Sequence, residues 1–131
     1  MIAVDTSALM AIVLGEAESD TLIDALVDEP EALISAGTMA EALIVAERRG
    51  VSEEMSALID GLGFTVTPVS AAAARRVAQA YAQWGKGVHP AALNFGDCFA
   101  YAVAKEHGCP LLFVGADFAR TDLTASEPHR K

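Results

Sequence analysis

The stretch IAVDTSALMAIVLGE, residues 2–16, decides the fold class. Its first three residues read as a short buried strand, and Thr6 or Ser7 can cap a helix running through Leu14. A strand that turns directly into a helix delivers its next polar residue to the carboxyl edge of a parallel sheet, where open α/β folds place their ligand sites. Here that residue is Asp5.

The same arrangement recurs along the chain. A helix over Ser19–Val27 stops before Asp28-Glu29-Pro30, and Ala32–Ser35 is the next strand. A helix from Met39 to Arg49 ends at Gly50, and Ser52-Glu53-Glu54 caps another that reaches Gly61. Phe64–Thr67 alternates apolar and polar residues and stops at Pro68, the pattern of a strand near a sheet edge. A long helix follows over Ala71–Trp84. Residues 85–96, with three glycines, Pro90 and Asn94, form the longest stretch without periodicity, and a loop of that length inside a compact domain points to function. Asp97–His107 resumes helical spacing, Leu111–Val114 is a fourth strand, and the polar tail from Asp122 is expected to fray. Strands alternating with helices predict an α/β domain with a mostly parallel sheet covered on both faces.

Composition sets the class. The 131 residues make a single domain, 1–131, with one core, and the hydrophobic fraction of 53% lies slightly above the usual range of about 45–50%. The longest apolar run, ALMAIVL at 8–14, is far short of the roughly 20 residues that span a bilayer. No basic stretch precedes it as in a signal peptide, so no membrane association and a cytoplasmic location are expected. Cys98 and Cys109 are expected to be reduced, buried thiols, and His89, His107 and His129 lack zinc-ligand spacing. The net charge of −9 argues against nucleic-acid binding, an argument that weakens if several acids form a metal site, because a bound cation reverses the local field.

Four carboxylates stand at strand-to-helix junctions or helix starts: Asp5 after IAV, Glu41 after ALIS, Asp97 at the head of DCFAYAVAKEHG and Asp117 after LLFV. Each has a local reading. Glu41 follows Thr38 by three residues, as in a capping box. Asp5 can cap the first helix, Asp97 lies where a helix dipole favours an anion, and Asp117 can stabilise a turn. Those readings do not explain why all four acids fall at one edge of the sheet. A cluster of carboxylates there suggests a site for a hard divalent ion.

The segments IAVDTSALMAIVLGE, TMAEALIV, YAQWGKGVHPAALNFGDCFAYAVAK and PLLFVGADFARTDL together resemble, in that order, the PIN-domain ribonucleases of the VapC toxin family. The resemblance runs from the first residue to Leu123, and LNFGDCFAYAVAK followed by LLFVGADF is its most specific part. It implies a three-layer α/β/α sandwich in which Asp5, Glu41, Asp97 and Asp117 bind Mg²⁺ or Mn²⁺ for RNA cleavage. Ser7 matches a position that supports a metal ligand, and Asp122 a less regular acid beside the site. The resemblance also implies a homodimer and a cognate antitoxin that covers the site.

Two unit charges about 4 Å apart repel by about 4 kcal/mol at an effective dielectric near 20, so four clustered carboxylates cannot all stay ionised without a cation. One divalent ion leaves the cluster negative toward a phosphodiester, whereas two bring it near neutrality, which favours two ions during turnover. Lys86, His89 and Arg120 are the candidate RNA contacts, and Tyr81 and Trp84 can stack on bases or pack in the core. Two other functions fit an α/β domain of this kind. A receiver-like phosphoacceptor wants paired acids after its first strand and a lysine after a late one, and this chain has DTS and GADF there. A non-catalytic protein-binding module would use the acids as caps and the apolar excess as an interface.

Overall fold

The computed structural model describes residues 1–123; the rest of the polar tail lies outside the described residues. Its elements are β1 (Ile2–Val4), α1 (Thr6–Val13), α2 (Ser19–Val27), β2 (Ala32–Ser35), α3 (Ala36–Arg48), α4 (Ser52–Leu62), β3 (Thr65–Thr67), α5 (Ala71–Trp84), α6 (Phe95–His107), β4 (Leu111–Leu112) and a 3₁₀ turn over Phe118–Arg120. The four strands are all parallel, in the order β3-β2-β1-β4. From β1 the chain steps outward through β2 to β3, then returns to lay β4 on the other side of β1. The strand order therefore reverses at β1, and the crevice beyond the carboxyl ends of β1 and β4 is the topological switch point.

Strand pleating sorts the core into two layers. Ile2, Val4, Ala32, Ile34 and Leu112 face the layer of α1, α2, α3 and α4, while Ala3, Leu33 and Leu111 face α5 and α6. The result is the expected three-layer α/β/α sandwich. Both inner strands are buried at every position, as a parallel sheet covered on both faces requires. Of the two edge strands, β3 is the exposed one, with two of its three residues open to solvent, whereas β4 is buried. No helix among the described residues is long and apolar enough to cross a membrane.

Three boundaries differ by two residues or more from the sequence reading, each because a polar side chain takes over a backbone group. The third helix begins at Ala36 rather than Met39: Ser35, the last residue of β2, caps it by accepting from the Gly37 N–H at 3.1 Å. Thr38 therefore lies inside the helix, fully buried, and Glu41 sits in its second turn, so the proposed Thr38–Glu41 capping box does not form. Helix α6 starts at Phe95 because Asn94 is its cap. The last strand is two residues shorter than expected, since the Val114 N–H donates to Ser7 Oγ at 3.0 Å instead of extending the ladder.

Helix α3 also packs against α6, and Gly37 is a close point of that contact: a Cβ there would fall on the ring of Phe99. Gly37→Ala should lower the unfolding free energy by roughly 1–3 kcal/mol, the usual cost of overpacking, despite alanine's better helix propensity. Urea unfolding of the variant beside the parent chain measures it.

Candidate metal centre

Asp5 leaves β1 with extended backbone and becomes the cap of α1. Its Oδ2 accepts from the Ser7 N–H at 3.0 Å and from the Ser7 Oγ–H at 2.7 Å. Ser7 Oγ in turn accepts from Val114, so one hydroxyl ties the end of β1 to the segment leaving β4. The other oxygen of Asp5, Oδ1, is buried with no hydrogen-bond partner, although the residue is only 3% exposed. A carboxylate oxygen so placed forfeits its hydration and gains nothing from the protein.

Glu41 approaches from α3. The Thr6 Oγ1–H donates to its Oε1 at 2.6 Å, and its carboxylate lies against Gly96, where a Cβ would fall on Oε2. Asp97 approaches from the first turn of α6, where it forms a reciprocal capping box: the Asn94 N–H donates to Oδ2 at 3.0 Å, and the Asp97 N–H donates to Asn94 Oδ1 at 2.8 Å. Asp117 precedes the 3₁₀ turn, is exposed, and makes no side-chain cap there.

Electrostatics joins these four acids. Burial pushes the Asp5 carboxyl up to about 7; the hydrogen bonds from Ser7 oppose the rise, and the charges of Asp97 and Glu41 add to it. Asp97 is raised to about 6, first by burial, then by Glu41 and Asp117, with the hydrogen bond from Asn94 opposing. At the carboxyl edge of β1 and β4, Asp5 thus feels the charges of Asp97 and Glu41, and Asp97 those of Glu41 and Asp117. Among the described residues no group of three or more His, Cys, Asp or Glu side chains stands ready-made as a metal cage. Glu41 is spent on Thr6 and Asp97 on Asn94, so an ion would have to compete with those hydrogen bonds. The orphaned Oδ1 of Asp5, the repelling neighbours and the all-oxygen donor set fit a hard divalent cation such as Mg²⁺ or Mn²⁺.

A family profile described as the PIN domain matches residues 2–123. Ribonuclease VapC42 of Mycobacterium tuberculosis is 44% identical over 124 residues, covering 92% of this chain and 95% of that protein. Ribonuclease VapC of Mycolicibacterium smegmatis is 39% identical over 125 residues, covering 93% and 97%. The chain belongs to the VapC ribonucleases of the PIN-domain family. Among solved structures, VapC20 of M. tuberculosis, a sarcin-ricin loop cleaving toxin, superposes with a TM-score of 0.77 at 19% identity, covering 96% of this chain and 98% of that one. VapBC2 from Rickettsia felis, bound to a DNA fragment from its promoter, gives 0.70 at 17% identity with the same coverage. At these identities the two structures speak for the fold.

The remaining candidates fall in different places. Ser7 supports Asp5 directly. Asp122 does not join the VapC acid cluster: it accepts from the Tyr101 hydroxyl at 2.6 Å and from Lys105 Nζ at 3.0 Å, farther along α6, and the Tyr101 bond holds its carboxyl below the usual range. The Lys86 side chain is exposed, whereas His89 is half-buried, its Nδ1 accepting from the Ala91 N–H and its ring edge-on to Trp84 at 4.7 Å. Arg120 Nη1 donates to the Pro90 carbonyl at 3.2 Å, which ties the turn after Asp117 to the loop before Asp97. Trp84 packs rather than stacks, donating from Nε1 to the Tyr101 hydroxyl at 2.8 Å. Two contributors went unread in the sequence. Thr6 looked like a cap and instead orients Glu41, and Phe95, two residues before Asp97, is 69% exposed. Both cysteines are free and buried, and burial raises the Cys98 thiol to about 11.

The pKa shifts set a sign for stability in chelator. Asp5 and Asp97 are raised on folding, so between pH 4 and 7 the folded state holds more protons than the unfolded state. Their contribution is present in full below the ordinary carboxylate pKa and is lost as pH rises through about 6 and 7. The ion-free protein should lose up to about 1.4 kcal/mol per pH unit for each such proton over that window. Asp5→Asn, which can still cap α1, should flatten the slope. Thermal unfolding in EDTA from pH 5 to 7.5 checks both; a rise in stability over that range would contradict the burial argument.

Proposed function

We propose that this chain is a Mg²⁺- or Mn²⁺-dependent ribonuclease acting as the toxin of a toxin–antitoxin pair, held as a homodimer and working in the cytoplasm. The observation that carries the reading is the buried, unpaired Oδ1 of Asp5 amid repelling carboxylates, a group that folding alone leaves uncompensated. Membership of the VapC ribonucleases supports the reaction class. A toxin–antitoxin complex from Klebsiella pneumoniae shares the fold, with a TM-score of 0.71 at 20% identity, covering 93% of each chain, which supports an antitoxin partner.

Asp5, Glu41, Asp97 and Asp117 would hold the metal, and two ions there during turnover would supply a nucleophilic water at neutral pH and offset the charge developing on the phosphate. In the ion-free protein a proton taken up by Asp5 would sit on Oδ1, because Oδ2 already accepts two hydrogen bonds from Ser7. That proton must leave when a cation binds, which makes affinity rise with pH. Thr6 keeps Glu41 turned toward the crevice, and the Asn94 box fixes Asp97 against rotation of its helix turn. Asp117, exposed and without a cap bond, is the acid freest to follow substrate.

Purified protein should cleave single-stranded RNA with Mg²⁺ or Mn²⁺, stop in EDTA, and leave 5′-phosphate ends, since water rather than the ribose hydroxyl attacks. Asp97→Asn should lower the rate by roughly 100-fold or more, the scale of removing one preorganised electrostatic group. Principal products ending in 2′,3′-cyclic phosphate would refute the mechanism. Gly96→Ala separates site from fold: its new Cβ displaces the Glu41 carboxylate, while helix propensity returns up to about 1 kcal/mol. Cleavage should fall at least tenfold with the melting temperature nearly unchanged.

A further inference from the structure

We propose that the groove between α3 and α6 is a nucleobase subsite of the ribonuclease, in which Phe95 stacks on a base beside the scissile phosphate and Arg48 receives the next phosphate. The inference rests on the ribonuclease reading above and adds the residues that hold single-stranded RNA. The groove, of about 410 Å³, is lined on α3 by Gly37, Glu41, Ile44 and Arg48 and on α6 by Phe95 and Phe99. The four α3 residues follow one another at helical spacing, so they form a single stripe that starts near the acids and ends in a cation. From Glu41 to Arg48 the stripe is about 10 Å long, room for a nucleotide between a phosphate at the acids and another at the guanidinium.

Chemistry selects this occupant. Phe95 is 69% exposed and Ile44 53%, so folding explains neither, whereas an aromatic ring open to solvent is what sequence-tolerant RNA binding uses. The ring is held: it meets Phe99 edge-to-face, with centroids 4.9 Å apart and planes at 82°. At the near end the Phe99 ring packs over Gly37 and the Glu41 carboxylate lies against Gly96, so the aromatic pair meets the acids there, and Phe95 stands two residues before Asp97. Among the described residues Arg48 enters no ion pair, which leaves its charge for a phosphate. In a chain of net charge −9, a cation at the end of an apolar groove that opens beside the acids complements a base flanked by phosphates.

The test uses the full chain carrying Asp97→Asn, to silence cleavage, with fluorescently labelled oligoadenylate, oligouridylate and an abasic oligoribonucleotide as probes, read by anisotropy across a salt series. Phe95→Ala should weaken binding of both homopolymers about tenfold, with an unchanged salt slope, and should not affect the abasic strand; Phe95→Trp should restore it. Arg48→Ala should weaken binding of all three and reduce the salt slope by about 0.7. Equal loss on the abasic strand, or no loss with Phe95→Ala, overturns the subsite while RNA cleavage by the parent chain leaves the ribonuclease reading intact. If Phe95→Ala instead converts a dimer to a monomer in sedimentation and RNA affinity per protomer is unchanged, the groove belongs to a second copy and the subsite is overturned. If the parent chain neither cleaves nor binds RNA, the ribonuclease reading and the subsite fall together.

Discussion

The burial of one carboxylate organises this molecule. Asp5 must sit where it does because β1 is the central crossing point of the sheet, paired on both sides and covered on both faces, and the first residue beyond it enters the switch-point crevice. One of its oxygens is absorbed by Ser7, which holds the start of α1 and, through Val114, the departing end of β4. The second oxygen receives nothing. A fold tolerates such an atom when function compensates it, and the neighbours show what compensation is needed: Glu41 and Asp97 both push the Asp5 carboxyl toward its neutral form.

Each of the other acids is held by a local device that also serves the fold. Asp97 completes the capping box that starts α6, and Glu41 is oriented by the hydroxyl of Thr6. Structural and chemical roles therefore coexist on the same atoms, and an ion that recruits these oxygens competes with hydrogen bonds worth about 1 kcal/mol or more each. Without metal, Glu41 and Asp97 are thus held by hydrogen bonds, and the buried Oδ1 of Asp5 is left without a partner.

The sequence reading reached most of the framework because strand-to-helix junctions and helix-ending glycines are local signals. Gly108, at positive φ, ends α6 just before Pro110, as its position in the sequence announced. It went wrong where two local signals competed. Ser35 and Thr38 are both capping residues, and only the burial of β2 decides that the helix begins at once, making Ser35 the cap and leaving Thr38 in the core. The four acids were read as a set because they stand at strand-to-helix junctions or helix starts; Asp122 was read as a less regular acid beside them, but Tyr101 and Lys105, one and two turns farther along α6 than Asp97, draw it away. Aromatic roles were the least legible. Trp84, which could have stacked on a base or packed, finds a hydroxyl partner inside the domain, while Phe95, at the head of a helix, is exposed. No periodicity distinguishes these fates, because they depend on which neighbouring helix presents a partner.

A small acidic crevice can hold ions and orient a phosphate, but it offers a base neither a hydrogen-bond pattern nor a face on which to stack. Selection among RNAs therefore has to reside at the rim. On this chain the rim has two parts: the α3–α6 groove with Phe95 and Arg48, and the loop preceding Asp97, which exposes Lys86 and is tied down by His89 on Trp84 and by Arg120 on Pro90. The loop is rigidified at both of those points, and Ala92 within it takes a positive φ, a conformation an alanine adopts only when its surroundings impose it. With twice as many acids as Lys and Arg, general attraction to phosphate is weak, so binding on this reading depends on a few positioned cations and on stacking. Relatives that share the four acids but differ at positions 48, 86 and 95 would then share a reaction and differ in target.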